Sequence, residues 1–115
     1  HVGYLMKSTI LGEYEELVLM VIVTLNDEAY SLSIKNTLKE HTGRNPSIGA
    51  LHSALNRLTK KGFLDSYEGG ATKSRGGRRK RFYTLTAFGR KALDQSFELR
   101  SGLYHALPKL GLSHE

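Results

Sequence analysis

Two helical patterns separated by only three residues constrain the fold of this chain more than any other feature of its sequence. The first runs over Ser31–Thr42, with Ser31 as a candidate N-cap and Gly43 placed to end the helix. The second runs over residues 46–61, because Asn45 can cap a helix and Pro46 fits its first turn. So short a connection predicts two adjacent helices that cross at a steep angle.

The rest of the chain predicts one helix before this pair, then a hairpin and a last helix after it. Acidic residues followed by an apolar run favour a helix over Glu13–Leu25, although the periodicity alone also allows a strand. Residues 63–68 are too short for a helix and predict a strand, and Lys80–Leu85, rich in aromatic and β-branched residues, predicts the returning strand. The two would form a hairpin with a long, flexible, cationic tip. Thr86 can cap a final helix that ends near Leu107.

This order of elements predicts a winged helix-turn-helix, a mainly α fold with a small β-hairpin. A chain of 115 residues is long enough for one domain and too short for two. We therefore expect a three-helix core and a two-stranded wing over residues 11–85, which would form a DNA-binding domain. A C-terminal dimerisation helix over residues 86–107 would belong to the same compact unit, with tails at residues 1–10 and 108–115.

The net charge of +6 is concentrated in two segments. Residues 30–61 carry six basic side chains and one acidic, and residues 73–81 carry six basic side chains and none acidic, which together give +11. The remaining residues carry five basic and ten acidic side chains, or −5. Such segregation indicates a directed anionic partner, although a solvated basic loop is the alternative for the second segment.

In a winged helix-turn-helix the second helix of the pair enters the major groove of DNA. The apolar stripe of this helix is expected to face the core; it comprises Ile48, Leu51, Leu55 and Leu58. Small, polar and basic residues would then face outward, although this is also the pattern of an ordinary surface helix. The outward set is Ser47, Gly49, Ala50, His52, Ser53, Asn56, Arg57 and Lys60. The wing adds cations that would neutralise phosphates, and Tyr30 completes the candidate DNA contacts; the wing cations are Lys73, Arg75, Arg78, Arg79, Lys80 and Arg81.

Three segments closely resemble the PadR family of bacterial transcriptional regulators. They are residues 11–34, the pattern S-x-G-A-L-x-x-x-L-x-R-L from Ser47, and the pattern G-G-R-R-K-R-x-Y-x-L-T from Gly76. The resemblance implies a homodimeric winged helix-turn-helix repressor of a palindromic operator, and for some members a small-molecule effector. His52 stands where the family usually has a tyrosine that contacts the DNA backbone. Some members bind flat drugs between paired tryptophans, and this chain has no tryptophan.

The last helix carries more apolar residues than one edge of a small core can bury. A dimer seam would cover them, and packing within the chain is the alternative. The candidate interface residues are Leu93, Phe97, Leu103, Tyr104 and Leu107. We also expect acids at the start of the first helix to face basic residues on the partner's last helix; the acids are Glu13, Glu15 and Glu16, and the bases are Arg90, Lys91 and Arg100.

No pattern of an enzyme, cofactor or metal site is present in the sequence. It has no cysteine, no G-x-x-x-x-G-K-[ST] or H-E-x-x-H, and its five histidines lack metal-ligand spacing. The apolar run at 17–25 is too short to cross a bilayer and follows acids rather than cations, so we expect a cytoplasmic protein. The alternative function is a winged-helix adaptor that binds another protein, because fold alone does not fix function.

Overall fold

Four helices and a two-stranded hairpin make up the part of the chain that the structure, a computed structural model, describes: residues 11–69 and 79–109. In chain order they are α1 (Glu13–Leu25), a 3₁₀ turn (Asn26–Glu28), α2 (Ser31–Thr42), α3 (Ile48–Lys60), β1 (Leu64–Gly69), β2 (Lys80–Leu85) and α4 (Ala87–Ala106). The predicted fold class, mainly α with a small hairpin, is confirmed. Within the described residues, no helix combines the length and apolar character that a membrane span requires.

The hydrophobic core lies between the first three helices and the start of the wing. Each of these helices contributes branched aliphatic side chains at spacings of three and four. Phe63, which precedes the wing, is fully buried in the same core. Side chains that are essentially fully buried include Val18, Leu19, Ile22, Ile34, Leu38, Leu51, Leu55, Leu58, Phe63 and Leu64. At about 1.5–3 kcal/mol for each large side chain removed from water, this cluster is the main stabilising element.

The N-cap of α2 is Tyr30, and the prediction that Ser31 caps this helix is wrong. Tyr30 has extended backbone, and its N–H donates to the Ser33 hydroxyl at 3.0 Å. The third residue of the helix therefore satisfies the N–H of the N-cap residue, as in one half of a capping box, while the Tyr30 side chain makes no cap hydrogen bond. Gly43 ends α2 in the left-handed conformation, with φ of 74°, as the sequence predicts.

The helix α3 begins at Ile48, two residues later than predicted, because Ser47 rather than Asn45 is its N-cap. The Ser47 hydroxyl accepts from the Ala50 N–H at 3.1 Å. Asn45 instead accepts from the Lys35 ammonium at 2.8 Å, which ties the turn to α2. Both residues are good capping types, and the turn geometry decides between them.

The wing is an antiparallel pair in which Leu64 lies opposite Leu85 and Gly69 opposite Lys80. Its first strand begins one residue later than predicted, since Phe63 precedes it as a buried core residue. The wing docks on the segment before α2, where the Tyr83 N–H donates to the Ala29 carbonyl at 2.9 Å and Tyr30 forms a bridge with Phe82. The predicted tip, with Lys73, Arg75 and Arg78, lies outside the described residues.

The start of α4 is hydrogen-bonded to the turn that follows α3. As predicted, Thr86 caps α4, and its hydroxyl accepts from the Gly89 N–H at 2.9 Å while donating to the Gly62 carbonyl at 2.7 Å. Gly89 is packed so closely on Phe63 that a Cβ atom would collide with the Phe63 carbonyl oxygen. The first turn of α4 therefore rests directly on the core.

Candidate nucleic-acid interface

The outward face of α3 has the composition that the sequence predicts. All eight residues assigned to it are exposed, while Leu51, Leu55 and Leu58 are fully buried. The prediction that Ile48 belongs to the core stripe is wrong, because its side chain is 45% exposed. Ile48 lies one turn before Leu51, at the N-terminal end of α3. The fourth buried residue of the helix is Ala54 instead.

The first turn of α3 offers little steric resistance to an approaching surface. A Cβ atom built on Gly49 would meet nothing within 4 Å, and the neighbouring Ala50 is exposed. The later Ser53 is also small and exposed. The helix backbone can therefore come close to a ligand at this end, as groove binding by a recognition helix requires.

His52 is connected to α2 through Ser31. The His52 Nε2 atom lies 2.9 Å from the Ser31 hydroxyl oxygen, across the angle between the two helices. The sequence did not predict the contact between Ser31 and His52, because the two residues are 21 positions apart and only the packing of α2 against α3 brings them together. In the structure this hydrogen bond orients the imidazole toward Ser31.

Tyr30 joins the helix pair to the wing. It is half-buried, its ring meets Phe82 edge-on with the centroids 5.6 Å apart, and the Lys80 ammonium lies 4.1 Å from its ring centroid. An ammonium over an aromatic face is a cation–π contact. From His52 through Ser31 and its chain neighbour Tyr30 to Lys80, two side-chain contacts and one peptide bond form a continuous line. We call α3's outward residues together with Ser31, Tyr30 and Lys80 the recognition surface.

The three basic residues of the wing that the structure describes, Arg79, Lys80 and Arg81, do not form a single cluster. Strand alternation places Lys80 and Phe82 on one face of the hairpin and Arg81 on the other. On that second face the Arg81 guanidinium lies 3.3 Å from the Glu68 carboxylate, which is also 3.8 Å from Arg79. Of these cations, Lys80 is therefore the one that contacts the helix pair through Tyr30.

Tyr67 is an aromatic residue of the wing that the sequence argument did not single out. Its ring stacks on Phe82 with centroids 5.6 Å apart and an interplanar angle of 19°, and the side chain remains partly exposed. The register pairs the two residues directly. Strand alternation was the available signal, since Tyr67 and Phe82 occupy the same face once the hairpin register is known.

Arg57 is exposed, as predicted, but its guanidinium is engaged by the body of the protein. Its Nε atom lies 3.3 Å from Glu15 Oε2, and the Lys61 ammonium lies 3.6 Å from the same oxygen. Burial disfavours the charged form of Glu15, but the Gly12 N–H and the two cations outweigh burial and lower the pKa of this carboxyl. The last turn of α3 is thereby fixed to the start of α1.

Each of the three acids at the start of α1 pairs within its own chain, and the expectation that they face a partner's last helix stays a prediction. Glu13 lies 3.3 Å from Arg44 at the surface, and Glu15 binds the end of α3. Glu16 is buried and pairs with Arg100 of the chain's own α4. Intrachain ion pairs therefore account for all three acids.

The second half of α4 exposes its apolar side chains. Five of them are each more than half exposed: Phe97, Leu99, Leu103, Tyr104 and Leu107. The core that the structure describes therefore does not bury Phe97 and Leu103, for which packing within the chain was the alternative. Leu93 differs from the other predicted interface residues, because it is partly buried and packs against the core. Leu99 was not among the predicted interface residues.

The chain was compared with known families and structures. The model of the transcriptional regulator PadR-like family matches residues 18–95, whereas the comparison with curated proteins gives no match. A transcriptional regulator from Clostridium thermocellum is 26% identical, with a TM-score of 0.63 over 83% of this chain and 92% of that one. A PadR-like transcription factor from Bacteroides fragilis is 25% identical, with a TM-score of 0.62 over 92% and 98%.

A PadR family transcription regulator from Clostridium difficile R20291 shares the fold, with a TM-score of 0.67 at 24% identity over 80% of this chain and 92% of that one. These matches agree with the winged-helix architecture and with the motifs at Ser47 and Gly76. The family is one of regulators rather than enzymes. The chain therefore belongs to the PadR-like family of transcriptional regulators.

Proposed function

We propose that this regulator binds double-stranded DNA with the recognition surface and the wing. The observation that carries the proposal is the continuous line of contacts from His52 through Ser31 and Tyr30 to Lys80. It connects the predicted groove-reading helix to the first residue of β2. A single ligand as long as a DNA duplex can then meet both at once.

The charge of this surface supports an anionic partner. The helix α3 contains no acidic residue, and its last turn carries Arg57 and Lys60. Lys80 and Arg79 lie at the loop end of the strand pair, and both are exposed. Contacts between such cations and phosphates release counterions, so binding becomes steeply dependent on salt.

We propose further that the protein binds DNA as a homodimer. Four of the predicted interface residues leave a large apolar patch on α4: Phe97, Leu103, Tyr104 and Leu107. A patch of this kind is typical of a surface that a partner covers. A two-fold dimer would present two α3 helices and would therefore bind a palindromic operator with half-sites about one helical turn, or roughly 10 base pairs, apart.

The remaining parts of the proposal rest on the family. We propose that the protein represses transcription in the cytoplasm and that a small-molecule effector releases it from its operator. Without tryptophan, the chain would need another way of holding such an effector than the paired tryptophans of some members. A reporter gene placed behind the operator tests repression directly.

Selection of bound sequences from a random duplex DNA library tests the DNA-binding proposal. We expect enrichment of a palindromic motif by the wild type and a loss of enrichment by Arg79→Glu. The matched control is Arg90→Glu on α4, because both arginines pair with an exposed carboxylate and are 66% and 64% exposed. A protein that enriches no sequence, and whose partner binding is insensitive to salt, would instead be the adaptor considered above.

A further inference from the structure

Ile48 is an exposed branched aliphatic residue at the end of α3 that approaches DNA in the proposed function. It is the first residue of the helix, directly after the Ser47 cap, and its side chain is 45% exposed. The core explains the other large aliphatic side chains of α3, which are all fully buried: Leu51, Leu55 and Leu58. Ile48 is therefore the one large apolar side chain of α3 that the core leaves exposed.

The polar neighbours of Ile48 already have partners within the protein. The Ser47 hydroxyl accepts a hydrogen bond from the Ala50 N–H at 3.1 Å. His52 lies one turn after Ile48 on the same side of the helix, and its Nε2 atom is hydrogen-bonded to the Ser31 hydroxyl at 2.9 Å. Gly49 and Ala50 bring no functional group to the surface beyond the backbone and one methyl. In the first turn of α3, Ile48 is therefore the exposed side chain with the largest apolar surface.

The chemistry of the groove then determines what Ile48 contacts. The edges of the base pairs in the major groove are hydrogen-bond donors and acceptors, apart from the C5-methyl group of thymine. An aliphatic side chain gains free energy only at that methyl group and loses it against a polar edge.

We propose that Ile48 is a specificity-determining residue that selects thymine at one position of each half-site by packing against its C5-methyl group. The proposal rests on the proposed function, because it requires α3 to lie in the major groove. It adds a particular base at a particular residue, which DNA binding alone does not specify.

The experiment replaces thymine by uracil in the selected operator, one symmetric pair of positions at a time, since this change deletes only the methyl group. Wild-type protein is expected to bind the duplex with uracil at one such pair about three- to tenfold more weakly, the effect of losing one or two buried methyl contacts. Ile48→Ala should bind the thymine and uracil duplexes equally, and Ile48→Val, which keeps two methyl groups, should retain part of the preference.

The matched control is Val23→Ala, because Val23 is likewise β-branched and is 46% exposed on α1, outside the recognition surface. It should keep the full thymine preference of the wild type. If the wild type enriches no sequence, the proposed function fails and the inference fails with it. If the wild type enriches a motif but Ile48→Ala discriminates thymine from uracil as the wild type does, or no uracil substitution weakens wild-type binding, the inference alone is overturned.

Discussion

Glu15 is a buried carboxylate that links α1 to the end of α3. Its side chain is only 11% exposed, and it meets Arg57, Lys61 and the Gly12 N–H. These partners lower its pKa below the ordinary value of 4.5 in spite of the burial. The folded state therefore binds this proton more weakly than the unfolded state does, and ionisation of Glu15 stabilises the fold.

We predict that Glu15→Gln lowers the free energy of unfolding by about 1–3 kcal/mol at pH 7, because a charge-assisted network is lost. The stabilisation is fully present above the ordinary pKa of 4.5 and is lost as the pH falls through the lowered pKa of the folded state. Urea unfolding at pH 7 and pH 3 measures it, and the difference between wild type and variant should shrink at pH 3.

Glu13→Gln is the control for this experiment. Glu13 also pairs with an arginine, Arg44, but the two side chains are 62% and 60% exposed. Such a surface pair contributes about 0–1 kcal/mol. A loss of stability for Glu13→Gln as large as for Glu15→Gln, or one for Glu15→Gln that persists unchanged at pH 3, would contradict the account.

Tyr14 carries a buried hydroxyl for which the described residues provide no hydrogen-bond partner. Burial raises the pKa of Tyr14, although Arg57 acts in the opposite direction. Because an unpaired buried hydroxyl costs free energy, we predict that Tyr14→Phe leaves stability unchanged or raises it by about 1 kcal/mol. A clear loss of stability in urea unfolding would mean that the hydroxyl has a partner in solution.

At the scale of the elements, the contact between α4 and Phe63 decides where the last helix begins. A methyl group on Gly89 would collide with the Phe63 carbonyl, so Gly89→Ala should lower the free energy of unfolding by about 1–3 kcal/mol. The control lies in the same helix: a Cβ atom on Gly102 would meet nothing within 4 Å, and Gly102→Ala should stabilise the protein by about 0.5–1 kcal/mol. Thermal unfolding at one protein concentration should show a lower melting temperature for Gly89→Ala and a higher one for Gly102→Ala. Equal shifts for the two variants would contradict the close packing of Gly89 on Phe63.

The positions of the elements could be predicted because local signals determine them. Periodicity and the capping types Thr86 and Gly43 give the four helices, and β-branched and aromatic residues give the strands. The start of α3 was missed because Asn45 and Ser47 are both suitable caps, and only the turn geometry distinguishes them. Ile48 was misplaced because the apolar period continues past the edge of the core.

The site was less predictable than the elements, because its contacts join residues that are distant in sequence. Exposure of the α3 face follows from amphipathicity alone. The contact of His52 with Ser31 and the pairing of Arg57 with Glu15 depend on how the helices pack, which the sequence pattern does not contain. The split of the wing cations between two faces became visible only with the strand register.

For the whole molecule, the structure has a basic surface on α3 and the wing and an apolar surface on α4. We predict that Leu103→Glu yields a monomer in sedimentation equilibrium, because a charge would have to be buried in the proposed interface. The control is Leu32→Glu, since Leu32 is also more than half exposed but lies on α2. A Leu103→Glu variant with the oligomeric state of the wild type would show that α4 does not form the dimer interface.

The central claim, that DNA binds to the recognition surface and the wing, is tested most directly by the salt dependence of operator affinity. The wild type should lose affinity steeply as salt rises, and Lys80→Ala should reduce the slope of log affinity against log salt by about one for each subunit. Lys91→Ala, which removes an exposed cation from α4, should leave the slope unchanged. An affinity that is independent of salt, or a slope that falls equally for Lys80→Ala and Lys91→Ala, would contradict the claim.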